Sequence, residues 1–182
     1  MYIQKLTLQN FKCFDNIDME FHPNLTVIVG ENGSGKTSIM EGAAIAVSTM
    51  FVKMDGLSAR SIDKGQAHLK AFSIGSTKDV QPQYPVTVKA SAVTKSETIH
   101  WARSLNRPEG KMTVVNAKKM INLGISFQEH LRNGDASLIL PVIAYLQWKL
   151  VTRELLASKM LRCSTTWEQR NWRLSIEMSQ AG

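Results

Sequence analysis

Eight residues from Gly30 to Thr37 combine the residue types that bind a phosphate chain. They read Gly-Glu-Asn-Gly-Ser-Gly-Lys-Thr and match the pattern G-x-x-x-x-G-K-[ST]. Glycines let the backbone curl so that successive N–H groups point at one anion, and a helix that starts there adds the positive end of its dipole. The spacing therefore predicts a phosphate-binding loop of the Walker A type.

The side chains around this loop have predicted roles towards Mg-ATP. The lysine supplies a point charge near the β- and γ-phosphates, and the threonine offers its hydroxyl to a Mg²⁺ ion that bridges two phosphate oxygens. The next serine hydrogen-bonds to an α-phosphate oxygen from the first helical turn. ATP and Mg²⁺ are the predicted cofactors, Thr37 is the predicted metal ligand, and the predicted nucleotide-binding residues are Gly30, Asn32, Gly33, Ser34, Gly35, Lys36, Thr37 and Ser38.

The segments on either side of the loop must position it. Leu25 to Val29 is a compact run of β-branched and apolar residues, which predicts a central strand buried on both faces of a parallel sheet. Residues 37–51 are mostly small and apolar without proline, which predicts a long and largely buried helix. Strand, glycine-rich turn and helix is the order that a phosphate loop requires.

The remaining pattern predicts an α/β fold. Alternating residues predict strands over 2–9 and 17–21, and β-branched segments predict an antiparallel meander from strands at 68–75, 85–94 and 97–103. Asn116 is a predicted cap for a helix that reaches Leu131, and a buried strand is predicted over Ser137 to Tyr145. We therefore expect a mixed sheet with an antiparallel meander.

Two regions are predicted along the chain. Residues 1–145 form an N-terminal ATP-binding lobe, and residues 146–182 form a divergent basic tail. One interpretation of the tail is out-of-frame translation after an early stop or frameshift, with little structure. The other is a basic helix whose tryptophans stack on nucleic-acid bases.

Residues 1 to about 52 resemble the N-terminus of the SMC, RecF and DNA-repair ATPases. Those proteins begin with a strand, N/G-F-[KR]-x-[FY], a second strand and G-x-N-G-x-G-K-[ST]. This chain has Asn10-Phe11-Lys12-Cys13-Phe14, a short strand, and then Leu25 to Ser38. The sequence is similar in particular to ATPases of bacterial anti-phage defence systems of the retron and Septu types.

The resemblance implies the N-terminal half of a P-loop NTPase, an incomplete ATPase head of the ABC type. Its relatives hydrolyse ATP in DNA repair or phage defence, so it implies DNA, a head-to-head homodimer and a nuclease as partners. It also implies that Lys12 lies near the nucleotide or the DNA. The alternative from the residues alone is a solvated lysine at a strand end.

The motifs for hydrolysis are not found in these 182 residues. A Walker B strand needs four apolar residues followed by Asp-Glu, and none of the fifteen acidic residues stands in that context. The signature Ser-Gly-Gly is absent as well. No catalytic residue is predicted, and two alternatives to an ATP hydrolase stay open: a truncated module that binds ATP without turnover, and a small P-loop kinase.

Composition bounds the remaining possibilities. A formal charge of +7 favours polyanionic partners, with a solvated basic surface as the alternative. The two cysteines and four histidines have no ligand spacing, so neither a disulfide framework nor a structural metal site is predicted. The longest apolar run, Leu138 to Leu146, is shorter than the roughly 20 residues of a membrane span, so a cytoplasmic protein is expected.

Overall fold

The computed structural model describes residues 1–74, 77–94 and 97–133. Two α-helices lie in these ranges, α1 (Lys36–Val47) and α2 (Lys118–Arg132), with short 3-10 turns at Ser48–Phe51 and Lys64–Gln66. The strands of the described ranges are β1 (Tyr2–Phe11), β2 (Phe14–Glu20), β3 (Leu69–Ile74), β4 (Thr77–Pro82), β5 (Val86–Val93), β6 (Thr98–Leu105) and β7 (Thr113–Val115).

Five of these strands form one antiparallel sheet in the order β2-β1-β5-β6-β7. The register sets Leu8 of β1 between Ile17 of β2 and Val88 of β5. Strands β3 and β4 form a separate two-stranded hairpin. The predicted α/β class with an antiparallel arrangement of strands is confirmed.

One face of the five-stranded sheet carries the core. Leu6 and Leu8 on β1 are buried, whereas Lys5 points to the open face and pairs with Asp18 at 3.0 Å. Helix α1 lies on the buried face and comes very close to β1, because a Cβ built on Gly42 would sit 2.5 Å from a methyl carbon of Leu8. This close approach places the start of the helix at the β1–β2 turn.

Strand β6 fixes the other end of α1. The indole N–H of Trp101 donates to the carbonyl of Ala46 at 3.0 Å, and the guanidinium of Arg103 donates to the carbonyl of Ile45 at 2.8 Å. Arg103 also donates to Ser48 Oγ at 2.7 Å. A cation at the C-terminal end of a helix satisfies its last carbonyls and opposes the negative end of its dipole.

The structure differs from the sequence prediction at Leu25 to Val29. This segment is not a strand, and Leu25, Val27 and Val29 are 64%, 53% and 56% exposed. A strand of a parallel sheet needs hydrogen-bonded neighbours, and the described strands pair only with one another in antiparallel fashion. The prediction of a buried central strand is therefore wrong for the described part of the chain.

Other predicted elements are confirmed with small shifts. The strands predicted over 2–9, 85–94 and 97–103 correspond to β1, β5 and β6, and the two predicted helices correspond to α1 with its 3-10 turn and to α2. The strand predicted over 68–75 exists as β3, but it pairs with β4 and not with β5. The strand predicted over Ser137 to Tyr145 and the tail 146–182 lie outside the described residues.

We expect Gly124→Ala in α2 to lower the free energy of unfolding by about 1–3 kcal/mol, because a Cβ there would lie 2.0 Å from the carbonyl oxygen of Met50. Glycine to alanine ordinarily stabilises a helix interior, so the expected sign is the opposite of helix propensity. Urea unfolding followed by circular dichroism measures the change. Gly65→Ala, whose Cβ would meet nothing within 4 Å, is the control. A Gly124→Ala chain as stable as the parent would contradict this packing.

Candidate functional site

The phosphate-binding loop predicted from the sequence lies between the Leu25 to Val29 segment, in which Leu25, Val27 and Val29 are exposed, and α1. Gly33 and Gly35 have φ values of 84° and 90°, in the left-handed region that favours glycine. Gly35 is the N-cap of α1, and no side chain caps the helix there. A helix start with no side-chain cap is the kind of place where backbone N–H groups bind an anion.

The Lys36 ammonium lies inside the curve of this loop. Its Nζ donates to the carbonyl oxygens of Gly30 and Glu31 at 2.7 and 2.8 Å, and it is 3.4 Å from Ser34 Oγ. The loop therefore holds the positive charge of Lys36 at its centre. Two backbone carbonyl oxygens accept hydrogen bonds from this ammonium. Phosphate oxygens are stronger acceptors for an ammonium, because both partners are then charged.

The hydroxyl residues after the lysine differ in exposure. Thr37 is exposed at the first turn of α1. Ser38 is buried, and its Oγ accepts a contact from the thiol of Cys13 at 3.6 Å. Asn32 is exposed and Ser34 is buried. The structure thus brings all eight predicted nucleotide-binding residues together in one loop and helix start.

The turn between β1 and β2 packs against the last glycine of the loop. Asn10 and Lys12 have φ values of 51° and 52°, which tighten the chain before Phe14. A Cβ on Gly35 would lie 2.4 Å from Phe14 Cζ and 2.7 Å from Cys13 Sγ. The Phe-Lys segment and the glycine-rich segment, which are separated in sequence, are therefore in direct contact.

Lys12 is not a solvated lysine at a strand end. Its ammonium forms an ion pair with Glu41 of α1, and its side chain is 25% exposed. Glu41 is buried, and its carboxylate also accepts from Gln66 Nε2 at 2.6 Å and lies 3.5 Å from Arg60 Nη2. Sequence reasoning missed this group, although an acidic residue within an otherwise apolar helix was a signal that could have found Glu41.

The described ranges contain neither a cluster of metal ligands nor a membrane-spanning helix. Residues 1–74, 77–94 and 97–133 hold no group of three or more His, Cys, Asp or Glu side chains with the geometry of a metal site. Within the same ranges, no helix has the length and apolar character needed to cross a bilayer.

A family model described as an AAA domain matches residues 5–170. Because the match covers most of the 182 residues, the chain belongs to this AAA domain family.

Similar curated proteins are RecF proteins, over a short stretch. The DNA replication and repair protein RecF of Halalkalibacterium halodurans is 49% identical over 41 residues, which cover 22% of this chain and 11% of that protein. The RecF protein of Streptococcus suis is 41% identical over 49 residues, which cover 27% of this chain and 14% of that protein. The chain therefore matches only 11% and 14% of the length of these two relatives.

Solved structures with a similar arrangement are SMC proteins. A chain from work on ATP-driven dimerization and DNA-stimulated activation of SMC ATPases is 20% identical with a TM-score of 0.46, and the alignment covers 67% of this chain and 76% of that one. The SMC head domain from Thermotoga maritima is 25% identical with a TM-score of 0.38, covering 63% and 36%. Likenesses at these scores are too distant to transfer any detail of the site.

We expect Gly35→Ala to destabilise the chain more than Gly33→Ala. Both substitutions place a side chain at a positive φ, which costs about 1–2 kcal/mol. Only Gly35 would in addition press a Cβ into Phe14 and Cys13, which adds about 1–3 kcal/mol, whereas Gly33 faces open space. Urea unfolding of the two variants measures the difference. Equal losses would contradict the close contact between the loop and the β1–β2 turn.

Proposed function

We propose that this chain binds Mg-ATP through the loop from Gly30 to Ser38. The observation that carries the proposal is the position of the Lys36 ammonium, which lies inside the loop on two backbone carbonyls at the uncapped start of α1. Loop N–H groups and the helix dipole favour an anion at the same place. In this proposal Gly30, Asn32, Gly33, Ser34 and Gly35 surround the phosphates, Ser38 binds them from the helix, and Thr37 holds Mg²⁺.

Binding without turnover is the form of this function that the sequence favours. No run of four apolar residues in the 182-residue sequence leads into an Asp-Glu pair, and Glu41 of α1 is already ion-paired. An ATP hydrolase needs a carboxylate that activates water, and Glu41 is already engaged by cations. A small P-loop kinase would need an acceptor-activating acid as well, so it is the weaker alternative.

The biological setting is proposed from the relatives. The RecF proteins are named for DNA replication and repair, and the SMC work concerns ATP-driven dimerization and activation by DNA. We therefore propose a cytoplasmic role with DNA, in repair or in phage defence, in which the 1–145 lobe pairs with a second ATPase head. A nuclease partner belongs to the same proposal, and so does the binding of nucleic acid by the 146–182 tail.

We expect Lys36→Ala to weaken ATP binding at least about tenfold, because the substitution removes a charge-assisted contact to phosphate. A fluorescent ATP analogue titrated with Mg²⁺ measures binding, and phosphate release is followed in the same samples. Lys53→Ala removes an exposed lysine just beyond α1 and is the matched control. Equal affinity of the Lys36→Ala and parent chains would refute the proposed site, and Lys36-dependent phosphate release would refute binding without turnover.

Thr37→Ala is expected to remove most of the Mg²⁺ dependence of ATP binding. Affinity in Mg²⁺ should fall roughly tenfold, towards the value measured in EDTA, because the exposed hydroxyl at the first turn is the proposed protein ligand. Thr37→Ser keeps the hydroxyl and should bind within about twofold of the parent. The same titration with and without Mg²⁺ provides the measurement. If the alanine variant keeps its full Mg²⁺ response, Thr37 is not the ligand.

A further inference from the structure

A buried carboxylate lies one helical turn behind the phosphate-binding loop. Glu41 is 7% exposed, and it follows Thr37 by four residues and Ser38 by three, so it shares their side of α1. Its described partners are the Lys12 ammonium, Arg60 Nη2 at 3.5 Å and Gln66 Nε2 at 2.6 Å. The proposed binding of Mg-ATP gives this group no role.

Stability alone does not account for a charge at this position. Replacing a buried ion pair by well-packed apolar residues is often neutral or stabilising, whereas removing one partner leaves an uncompensated charge. On its side of α1, Glu41 has Thr37 and Ser38 one turn before it and the buried Ala44 and Ile45 one turn after it. By that measure apolar residues at both positions 12 and 41 would serve stability, whereas an apolar residue at 41 alone would leave the Lys12 ammonium uncompensated. The carboxylate is therefore explained by the cation that it holds.

Glu41 holds Lys12, whose backbone is fixed as well. The Lys12 N–H donates to the carbonyl of Gln66 at 2.7 Å, and the Lys12 carbonyl is 2.8 Å from His68 Nδ1. The next two residues, Cys13 and Phe14, are the ones that contact Gly35. A continuous path of contacts thus leads from the Glu41 carboxylate through Lys12 to the last glycine of the phosphate loop.

We propose that Glu41 is a positioning residue of the nucleotide site. Its negative charge holds Lys12, and with it the Asn10–Phe14 turn, against Gly35. The affinity of the loop for a nucleoside triphosphate therefore depends on the charge of Glu41 and not only on its shape. This inference rests on the proposed function, because it assigns a support to the same site.

Two substitutions of Glu41 separate charge from shape. Glu41→Gln keeps the shape and removes the charge, and it should weaken ATP binding roughly tenfold because the Lys12 ammonium loses its charged acceptor. Glu41→Asp keeps the charge on a shorter side chain and should bind within about threefold of the parent. The control is Asp18→Asn, which removes the charge of Asp18 and so breaks the exposed ion pair between Lys5 of β1 and Asp18 of β2. A merely space-filling role predicts the reverse order, with Glu41→Gln near the parent and Glu41→Asp weaker.

A double-mutant cycle tests whether Glu41 acts through Lys12. Lys12→Met should weaken ATP binding to a similar extent. The ATP affinity of the Glu41→Gln/Lys12→Met chain should then lie within about twofold of the lower of the two single-variant affinities. If the two losses multiply, Glu41 does not act through Lys12 and the proposal is overturned. Where Glu41→Gln folds poorly by circular dichroism, Lys12→Met is compared with the parent alone: it should bind ATP roughly tenfold more weakly, and binding equal to that of the parent overturns the proposal.

Thiol labelling gives a second measurement that needs no nucleotide. In a Cys163→Ser chain, a maleimide reports on Cys13 of the turn, whose sulfur packs against Gly35 and lies 3.6 Å from Ser38 Oγ. Glu41→Gln should raise the Cys13 labelling rate at least about threefold over the parent if the charge fixes the turn, while Asp18→Asn should leave it unchanged. An unchanged rate in Glu41→Gln overturns the proposal.

The two proposals fail in different ways. If the parent does not bind ATP, or binds it equally well with Lys36→Ala, the proposed function is refuted and the inference falls with it. If binding depends on Lys36 but the Glu41→Gln chain binds as the parent does, only the inference is refuted.

Discussion

The close approach of α1 to strand β1 is the contact on which the rest of the site depends. Gly35 and Gly42 stand seven residues apart on one side of α1, and a Cβ on either would lie within 2.5 Å of Phe14 or Leu8. Only glycine at these positions lets the helix lie this deep on the sheet. The depth brings the helix start to the β1–β2 turn, and the phosphate-binding loop is formed there.

The two ends of α1 differ in whether side chains bond to their backbone groups. At the C-terminal end, Trp101 and Arg103 of β6 donate to the last carbonyls, and the guanidinium is buried. At the N-terminal end no side chain caps the helix, and the loop curves around the Lys36 ammonium. The negative end of the dipole is thus neutralised inside the protein, whereas the positive end is left for an anion. Helix burial and the proposed phosphate binding are two consequences of one placement.

Sequence patterns predicted the elements that local residues determine. The loop from Gly30 to Lys36 and the alternating strands β1 and β6 could be recognised because glycine spacing and a two-residue period are local properties. The state of Leu25 to Val29 could not, because burial of an apolar strand depends on partners elsewhere in the chain. The Lys12–Glu41 pair joins residues 29 positions apart, so periodicity contains no sign of it. The acidic residue inside an apolar helix was the available hint.

The phosphate-binding loop is supported unequally on its two sides. Its C-terminal side is fixed by buried contacts of Gly35 and α1, whereas the segment that leads into Gly30 exposes Leu25, Val27 and Val29 and pairs with no described strand. The bonds from Lys36 to the carbonyls of Gly30 and Glu31, together with the packing of Ile28 against the core, therefore connect the two sides. A triphosphate that draws the ammonium towards its own oxygens weakens this tie, and it must replace it with bonds to the loop N–H groups. In the proposed site, nucleotide affinity then depends on how well the supported side, the Asn10–Phe14 turn and α1, keeps its shape while the ammonium changes its acceptors.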